Sequence, residues 1–354
     1  MTYVRNAWYV AAWAHELRDE LPLGVRVLDE PIVIWRNGRG DLAAFEDYCL
    51  HRLARLSLGR CEGERLRCMY HGWLYDSTGH VVEIPGQARV PGGARLRTYP
   101  VTERHSWLWV WMGDHSCADE KLIPPVVGFD RAEPESVYAH GQLDYAAEAR
   151  LVNDNLLDLS HVSFLHAASF RMSDVWAREP SKITPLERGL RSERWIRGEG
   201  TLGELGTSDL VDTYFCYEMY VPGVLMMTVH TYPVGTAQAL KSQPPDLSRP
   251  PGQFTTQAIT PVTSKTARYF YTMGRRRRGS ETTYDMTVTD QAFAEDKMMI
   301  EAQQQNIDSA PARRFIPTAA DQASVLFKRL VETMARAEGS VEASTDAQCT
   351  PVHP

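Results

Sequence analysis

Two mixed pairs of metal-binding side chains constrain this chain more than any other feature in it. Cys49-Leu50-His51 is followed, sixteen residues later, by Cys68-Met69-Tyr70-His71. Each segment offers one thiolate and one imidazole. That donor set suits a [2Fe–2S] cluster with two Cys on one iron and two His on the other. Exchanging two anionic thiolates for neutral imidazoles reduces the negative charge and raises the potential above that of an all-cysteine cluster. Gly59, Gly63 and Gly72 beside the two boxes allow the tight turns such loops need. The competing assignment is a Cys₂His₂ zinc site, but zinc fingers usually pair Cys with Cys and His with His, and each box here mixes them. Cys61, between the boxes, has no neighbouring His and reads as structural.

Around these boxes, residues 1 to about 115 read as β-rich. Short β-branched or aromatic runs (Arg26–Leu28, Ile32–Trp35, Trp107–Met112) alternate with turn signals at 36–40 and 76–79. Ile123-Pro124-Pro125 reads as a linker, placing a first domain at 1–118 and a second at 119–338. In the second, residues 148–170 have helical spacing, with Leu151, Leu156, Leu159 and Val162 near one side. Strand-like segments at 210–232 and 254–273 flank a Pro/Ser/Gly-rich loop, and 288–307 and 319–337 read as helices. The tail, 339–354, is polar and unpatterned and is expected to be mobile. The expected fold class is α+β: an all-β first domain, then an antiparallel sheet with flanking helices.

A second metal pattern opens that second domain: Asn155-Leu-Leu-Asp158-Leu-Ser-His161-Val-Ser-Phe-Leu-His166. Two His and one carboxylate on one face of Fe(II) leave positions open for O₂ and substrate. His161 and His166 are five residues apart, so on an ideal helix their directions differ by about 140°. The helix must therefore bend or end near His161, whereas Asp158 and His161 share a face. Alone, a His-x₄-His pair is more often two ordinary histidines. Behind a cluster that needs an electron acceptor, the metal reading prevails. For the third ligand, periodicity puts Phe293, Asp296 and Ile300 on one apolar stripe of the 288–307 helix, with Glu295 and Glu301 off it. A carboxylate on a buried face is costly unless paired or metal-bound. The alternative is an acidic residue favoured by the helix dipole.

The segment Glu46–Asp76 closely resembles the Rieske domain of aromatic-ring and demethylating oxygenases. Ala54 and Tyr70 stand where the cytochrome-complex type of Rieske protein carries a disulfide pair, and Leu50 stands where many relatives have Pro. The resemblance extends from residues 5–13 through both iron motifs to 301–308, and is greatest to the vanillate O-demethylase, dicamba O-demethylase and toluenesulfonate methyl-monooxygenase group. It implies a helix-grip-like catalytic domain. It implies Cys49, His51, Cys68 and His71 as cluster ligands, and His161, His166 and Asp296 as ligands of a mononuclear Fe(II). It further implies a homotrimer in which each cluster serves the neighbouring subunit's iron. Asp158 would then hydrogen-bond His71 of one subunit and His161 of the next, with Asn155 beside it in the catalytic machinery. O₂ would be the co-substrate and a small aromatic compound, an aromatic acid above all, the substrate. A hydroxylated O-methyl group collapses to phenol and formaldehyde.

Other signals carry less. Gly198-Glu-Gly200-Thr-Leu-Gly203 matches a dinucleotide fingerprint, but it follows the charged Ser192–Arg197, and Glu199 and Glu204 would repel a pyrophosphate. With no flavin or nicotinamide site of its own, the chain is expected to take electrons from a separate NAD(P)H-dependent reductase of flavin/ferredoxin type. A net charge of -7 argues against nucleic-acid binding. No 18-residue apolar run predicts a membrane span. The N-terminus does not read as a signal peptide, so a cytoplasmic location is expected. Arg275–Arg278 reads as a solvated loop and His230 as a core histidine rather than a pocket residue. The rival function is a pure electron carrier, but that would need only about the first 115 residues.

Overall fold

The computed structural model describes residues 3–126, 136–170, 173–200, 210–248, 250–277 and 279–342. Its first part is built of strands alone, apart from single 3₁₀ turns. They are β1 (Trp8–Trp13), β2 (Leu23–Val27), β3 (Glu30–Arg36), β4 (Leu42–Glu46), β5 (Arg60–Glu62), β6 (Arg65–Arg67), β7 (Leu74–Asp76), β8 (Val81–Glu83), β9 (Val101–Arg104) and β10 (Trp107–Trp111). They form three antiparallel sheets, ordered β2-β3-β4, β5-β6-β7-β8 and β1-β10-β9.

Strand β10 shows how the sequence writes a doubly buried strand. Its side chains alternate between two cores: Trp107, Trp109 and Trp111 enter one, and Leu108 and Val110 enter another. The tryptophan core reaches Val224, Ala258 and Phe270 of the second part, and also takes in Ile123. The expected linker is thus anchored at its first residue.

The second part contains β11 (Ser136–Tyr145), α1 (Ala149–Leu157), α2 (Val175–Arg178), β12 (Lys182–Leu186), β13 (Gly189–Glu199), β14 (Val211–Tyr220), β15 (Val224–Pro233), α3 (Thr236–Ala239), β16 (Gln253–Thr263), β17 (Thr266–Arg276), α4 (Thr287–Ser309) and α5 (Gln322–Glu342). Seven strands form one antiparallel sheet ordered β11-β17-β16-β15-β14-β13-β12. One face packs against the tryptophan core. The other faces α1 and α4, with Tyr269 and Tyr271 ringed against Phe293 of α4. The fold is α+β, as expected.

Four expectations change. Residues 210–232 and 254–273 are each a hairpin rather than a single strand, turning at Val221-Pro222-Gly223 and at Ser264-Lys265. Strands β11, β12 and β13 were not anticipated; the charged residues of β13 (Arg191, Glu193, Arg194, Arg197, Glu199) mask its apolar pattern, while β11 and β12 each carry a single one. Arg275 and Arg276 close β17 instead of lying in a loop, and Arg275 makes a two-pronged ion pair with Glu281 at 2.6 and 2.7 Å. Helix α5 continues to Glu342, past the expected start of the tail, and residues 343–354 lie outside the described ones. His230 is buried on the sheet face opposite Met227 and Val229, paired with Tyr214. No helix among the described residues is long and apolar enough to cross a membrane.

Candidate metal centres

The two Cys-His loops share one backbone design. Cys49 N–H donates to Ala54 O and Leu53 N–H donates back to Cys49 O; Cys68 N–H donates to Trp73 O and Gly72 N–H back to Cys68 O. Each loop therefore closes over five residues and turns through a left-handed position, Leu53 (φ 57°) in one and Gly72 (φ 75°) in the other. Gly72 is required twice over, because a Cβ there would lie 2.9 Å from Pro85 Cγ. Gly63 is also left-handed, whereas Gly59 is extended.

This geometry separates the donors by depth. Cys49 and Cys68 are each 1% exposed and sit in the core with Trp35, Phe45 and Tyr75. His51 and His71 are exposed, their ring centroids 4.5 Å apart, with His51 stacked on Trp73. Burial pushes the Cys49 thiol up, so a bare thiol stays protonated and a cation is needed to draw out the thiolate. Two buried thiols behind two exposed imidazoles fit a [2Fe–2S] cluster with its histidine iron outward. Tyr75 was not anticipated. Its hydroxyl accepts from Leu50 N at 3.0 Å and donates to Cys49 Sγ at 3.2 Å. Cys61 stays apart from the donors, as a partly buried residue beside the same core.

In the second part, α1 ends at Leu157 because Asp158 turns extended (φ -118°, ψ 93°). A 3₁₀ segment, Leu159–Ser163, carries His161, and His166 follows in the next turn. The break brings together two imidazoles that a continuous helix would splay apart. On α4 the buried stripe is Thr289, Ala292, Asp296, Ile300 and Gln304; it contains Asp296 and Ile300 of the expected stripe, whereas Phe293 is only partly buried. His161 Nε2 and His166 Nε2 lie 3.5 and 3.3 Å from the same Asp296 Oδ1. One ligand atom from each of the three side chains lies within 4.8 Å of the others, close enough for all three to hold a single ion.

The far side of each ligand is also held. His161 Nδ1 lies 2.6 Å from the Asp158 carbonyl oxygen. A carbonyl only accepts, so Nδ1 carries the proton and Nε2 presents its lone pair to the centre. The Asp158 carboxylate meanwhile accepts from Ser160 N–H at 2.8 Å. His166 Nδ1 lies 2.9 Å from Glu295 Oε2, which also accepts from Ser169 Oγ at 2.8 Å. Asn155 Nδ2 donates to Asp296 Oδ1 at 2.9 Å, orienting the carboxylate that shares its oxygen with both imidazoles. Burial lowers the affinity of His161 for a proton, with Asp296 opposing it. Burial also acts to lower His166, but its hydrogen bonds to Asp296 and Glu295 and the negative charge of those carboxylates outweigh it and raise that group. Glu295 lies off the apolar stripe, where periodicity offered no reason to select it. Its only sequence signal was adjacency to Asp296.

Comparison with known proteins accounts for both centres. Residues 7–100 match the Rieske [2Fe-2S] domain, and residues 145–337 match the vanillate O-demethylase oxygenase C-terminal domain. The chain is 31% identical over 348 residues to the iron-sulfur subunit of a toluene-4-sulfonate monooxygenase system from Comamonas testosteroni, covering 95% of this chain and 98% of that one. It is 32% identical over 354 residues to a vanillate O-demethylase oxygenase subunit from a Pseudomonas species, covering 95% and 96%. The crystal structure of dicamba monooxygenase bound to dicamba superposes with a TM-score of 0.81 at 28% identity, over 96% of this chain and all of that one. The chain belongs to the Rieske non-haem iron oxygenases of the vanillate O-demethylase oxygenase family. It is an oxygenase component, and its cofactors are a Rieske [2Fe–2S] cluster and a mononuclear non-haem iron. A pure electron carrier would have no use for the domain at 145–337 or for the triad within it.

Proposed function

We infer that this oxygenase component demethylates or hydroxylates a small aromatic acid bearing a methoxy or methyl group. The observation that carries the reading is the convergence of His161 and His166 on Asp296 in a chain that also holds both Cys-His loops. The relatives bear on the substrate class through their names, which cite vanillate, dicamba and toluene-4-sulfonate. Iron held by His161, His166 and Asp296 would supply O₂ activation, with positions open for O₂ and substrate. The chain's own groups prepare that site. The Asp158 carbonyl and Glu295 fix the two imidazole tautomers, and Asn155 fixes the carboxylate. For a methyl ether, one O₂, two electrons and two protons give the phenol, formaldehyde and water.

The electrons would come from a separate NAD(P)H-oxidising reductase of flavin/ferredoxin type, which fits a cytoplasmic setting. We take the assembly to be a head-to-tail homotrimer, with Cys49, His51, Cys68 and His71 of one subunit serving the iron of the next. Two features support this arrangement. The imidazoles of His51 and His71 sit among exposed apolar side chains (Leu50, Leu53, Met69, Tyr70) suited to a protein surface. Asp158 opens onto a groove of about 230 Å³ shared with Ser160, Trp176, Arg194 and Tyr217. The test is a single turnover of chemically reduced holoenzyme with O₂ and a panel of methoxy- and methyl-aromatic acids. Formaldehyde or a hydroxylated product from any member is expected. Reoxidation without product across the whole panel would overturn the substrate class.

A further inference from the structure

Where the two parts of the chain meet, a cavity of about 360 Å³ opens between β2 and β3 on one side and β16 and β17 on the other. Backbone hydrogen bonds stitch this junction, from Leu28 N–H to Pro261 O at 2.9 Å and from Asp29 N–H to Val262 O at 3.0 Å. The walls are therefore set by the fold. The floor is buried and apolar at Ala11 and Phe270, 4% and 0% exposed, and Leu58 stands 73% exposed at the mouth. Such a volume lies within the range of small-ligand sites.

The charge of the lining is opposite to that of the chain. Arg26, Arg55 and Arg268 stand there against one acidic residue, Asp47, in a protein of net charge -7. Arg268 is already neutralised, because its Nε and Nη2 donate to the two oxygens of Asp144 at 2.7 and 3.1 Å. Asp47 is occupied as well: Ser57 N–H and Oγ donate to its two oxygens at 2.7 and 2.6 Å. Gly24 makes room for that pair, since a Cβ there would lie 2.6 Å from Ser57 Oγ and 3.3 Å from Asp47 Oδ2. Two guanidiniums remain without a counter-ion among the described residues. Arg26 donates only to the Asp29 carbonyl oxygen, at 2.7 Å, and Arg55 makes no hydrogen bond or ion pair there.

A guanidinium is a planar fork matched to a carboxylate or phosphate, and a cleft lined by one sign of charge concentrates the opposite ion. We propose that this junction cavity binds a small amphipathic oxyanion. Its carboxylate or phosphate head engages Arg26 and Arg55, and its apolar body covers Leu58 and the cavity floor. The site is coupled to the cluster through the loop that carries Cys49 and His51. Arg55 follows Ala54, whose carbonyl oxygen accepts the Cys49 N–H at 2.8 Å, and Asp47 lies two residues before Cys49. A bound anion adds negative charge beside that loop, and negative charge around a cluster opposes its reduction. The anion therefore lowers the reduction potential, and by reciprocity it binds the oxidised protein more tightly than the reduced. None of this depends on which substrate reacts at the triad.

The test titrates phenyl phosphate and inorganic phosphate calorimetrically into the oxidised holoenzyme at one ionic strength, which holds screening fixed. Phenyl phosphate is expected to bind more tightly than phosphate; the reverse order overturns the apolar half of the site. With Arg26→Gln and Arg55→Gln combined, its dissociation constant should rise by about tenfold or more, since each lost bond is to a charged group. Both side chains are exposed, so iron content and the Rieske absorption should match the parent. If the double variant loses them, the two single variants carry the same test. Electrochemically reduced holoenzyme should bind phenyl phosphate more weakly than the oxidised form, and the cluster potential should fall as the ligand saturates. No binding at millimolar concentration, or an affinity that survives both substitutions, overturns the site. Equal affinity in the two oxidation states, with an unmoved potential, overturns its coupling to the cluster.

Discussion

Glu295 Oε2 sits 2.9 Å from His166 Nδ1, on the opposite side of the imidazole from Asp296. Adjacent residues of one helix thus grip the same histidine from both ends, one through each nitrogen. Three hydrogen bonds, from His166, Ser169 and Gln291, outweigh burial and hold the Glu295 carboxyl below its usual range. It is an anion built to orient a ligand and to increase its basicity.

Glu295→Gln should therefore weaken iron binding at the mononuclear site by about 10- to 100-fold, the usual effect of removing such a support. Iron retained after dialysis against graded chelator measures this, with the Rieske absorption as an internal control. Iron retention equal to the parent's would reduce Glu295 to a surface cap on Ser169.

The two centres should be separable by mutation. His161→Ala or His166→Ala is expected to lower iron from three to two per chain, end turnover and leave the Rieske EPR signal intact. Cys68→Ala or His71→Ala should abolish that signal. Iron analysis and EPR on the same samples decide the assignment, and a Rieske signal that persists without Cys68 would sink it.

Tyr75 gives a quantitative handle on the cluster. Its hydroxyl donates to Cys49 Sγ at 3.2 Å, which favours the more negative, reduced state. Tyr75→Phe should lower the reduction potential. A net hydrogen-bond contribution of about 0.5–1.5 kcal/mol corresponds to about 20–65 mV for a one-electron couple. Direct electrochemistry reads the shift, and a potential that stays put or rises would deny the bond any tuning role.

Much of this design was legible from residue type and spacing, and the gaps have physical causes. The proposed cluster ligands lie close in sequence, so Cys49-x-His51 and Cys68-x₂-His71 stood out from spacing alone. Asp296 came from the apolar stripe of Phe293, Asp296 and Ile300 together with the family resemblance, and the structure buries Asp296 and Ile300 while Phe293 is only partly buried. Asp158 and Asn155 were anticipated as residues, but two of the contacts made to the triad were hidden because they act across more than a hundred residues. Glu295 reaches His166, Asn155 reaches Asp296, and nothing in a linear pattern encodes either meeting. The hairpins were merged because apolar texture continues across Pro222-Gly223 and Ser264-Lys265.

The last prediction concerns Asp158, which has two local tasks within the chain. Its carbonyl oxygen holds His161 Nδ1, and its carboxylate accepts from Ser160 N–H to start the 3₁₀ segment. Asp158→Asn leaves both intact, since the backbone is unchanged and Asn serves as well as Asp at such a cap. Iron content and folding should therefore match the parent. What is lost is the negative charge and one acceptor, the features needed to engage the partner subunit's His71 across an interface. If the carboxylate has that second task, substrate-dependent reoxidation of the reduced Rieske cluster should slow at least tenfold, about 1.4 kcal/mol of barrier, in stopped-flow absorbance. Reoxidation at the parent rate would confine Asp158 to its two local contacts.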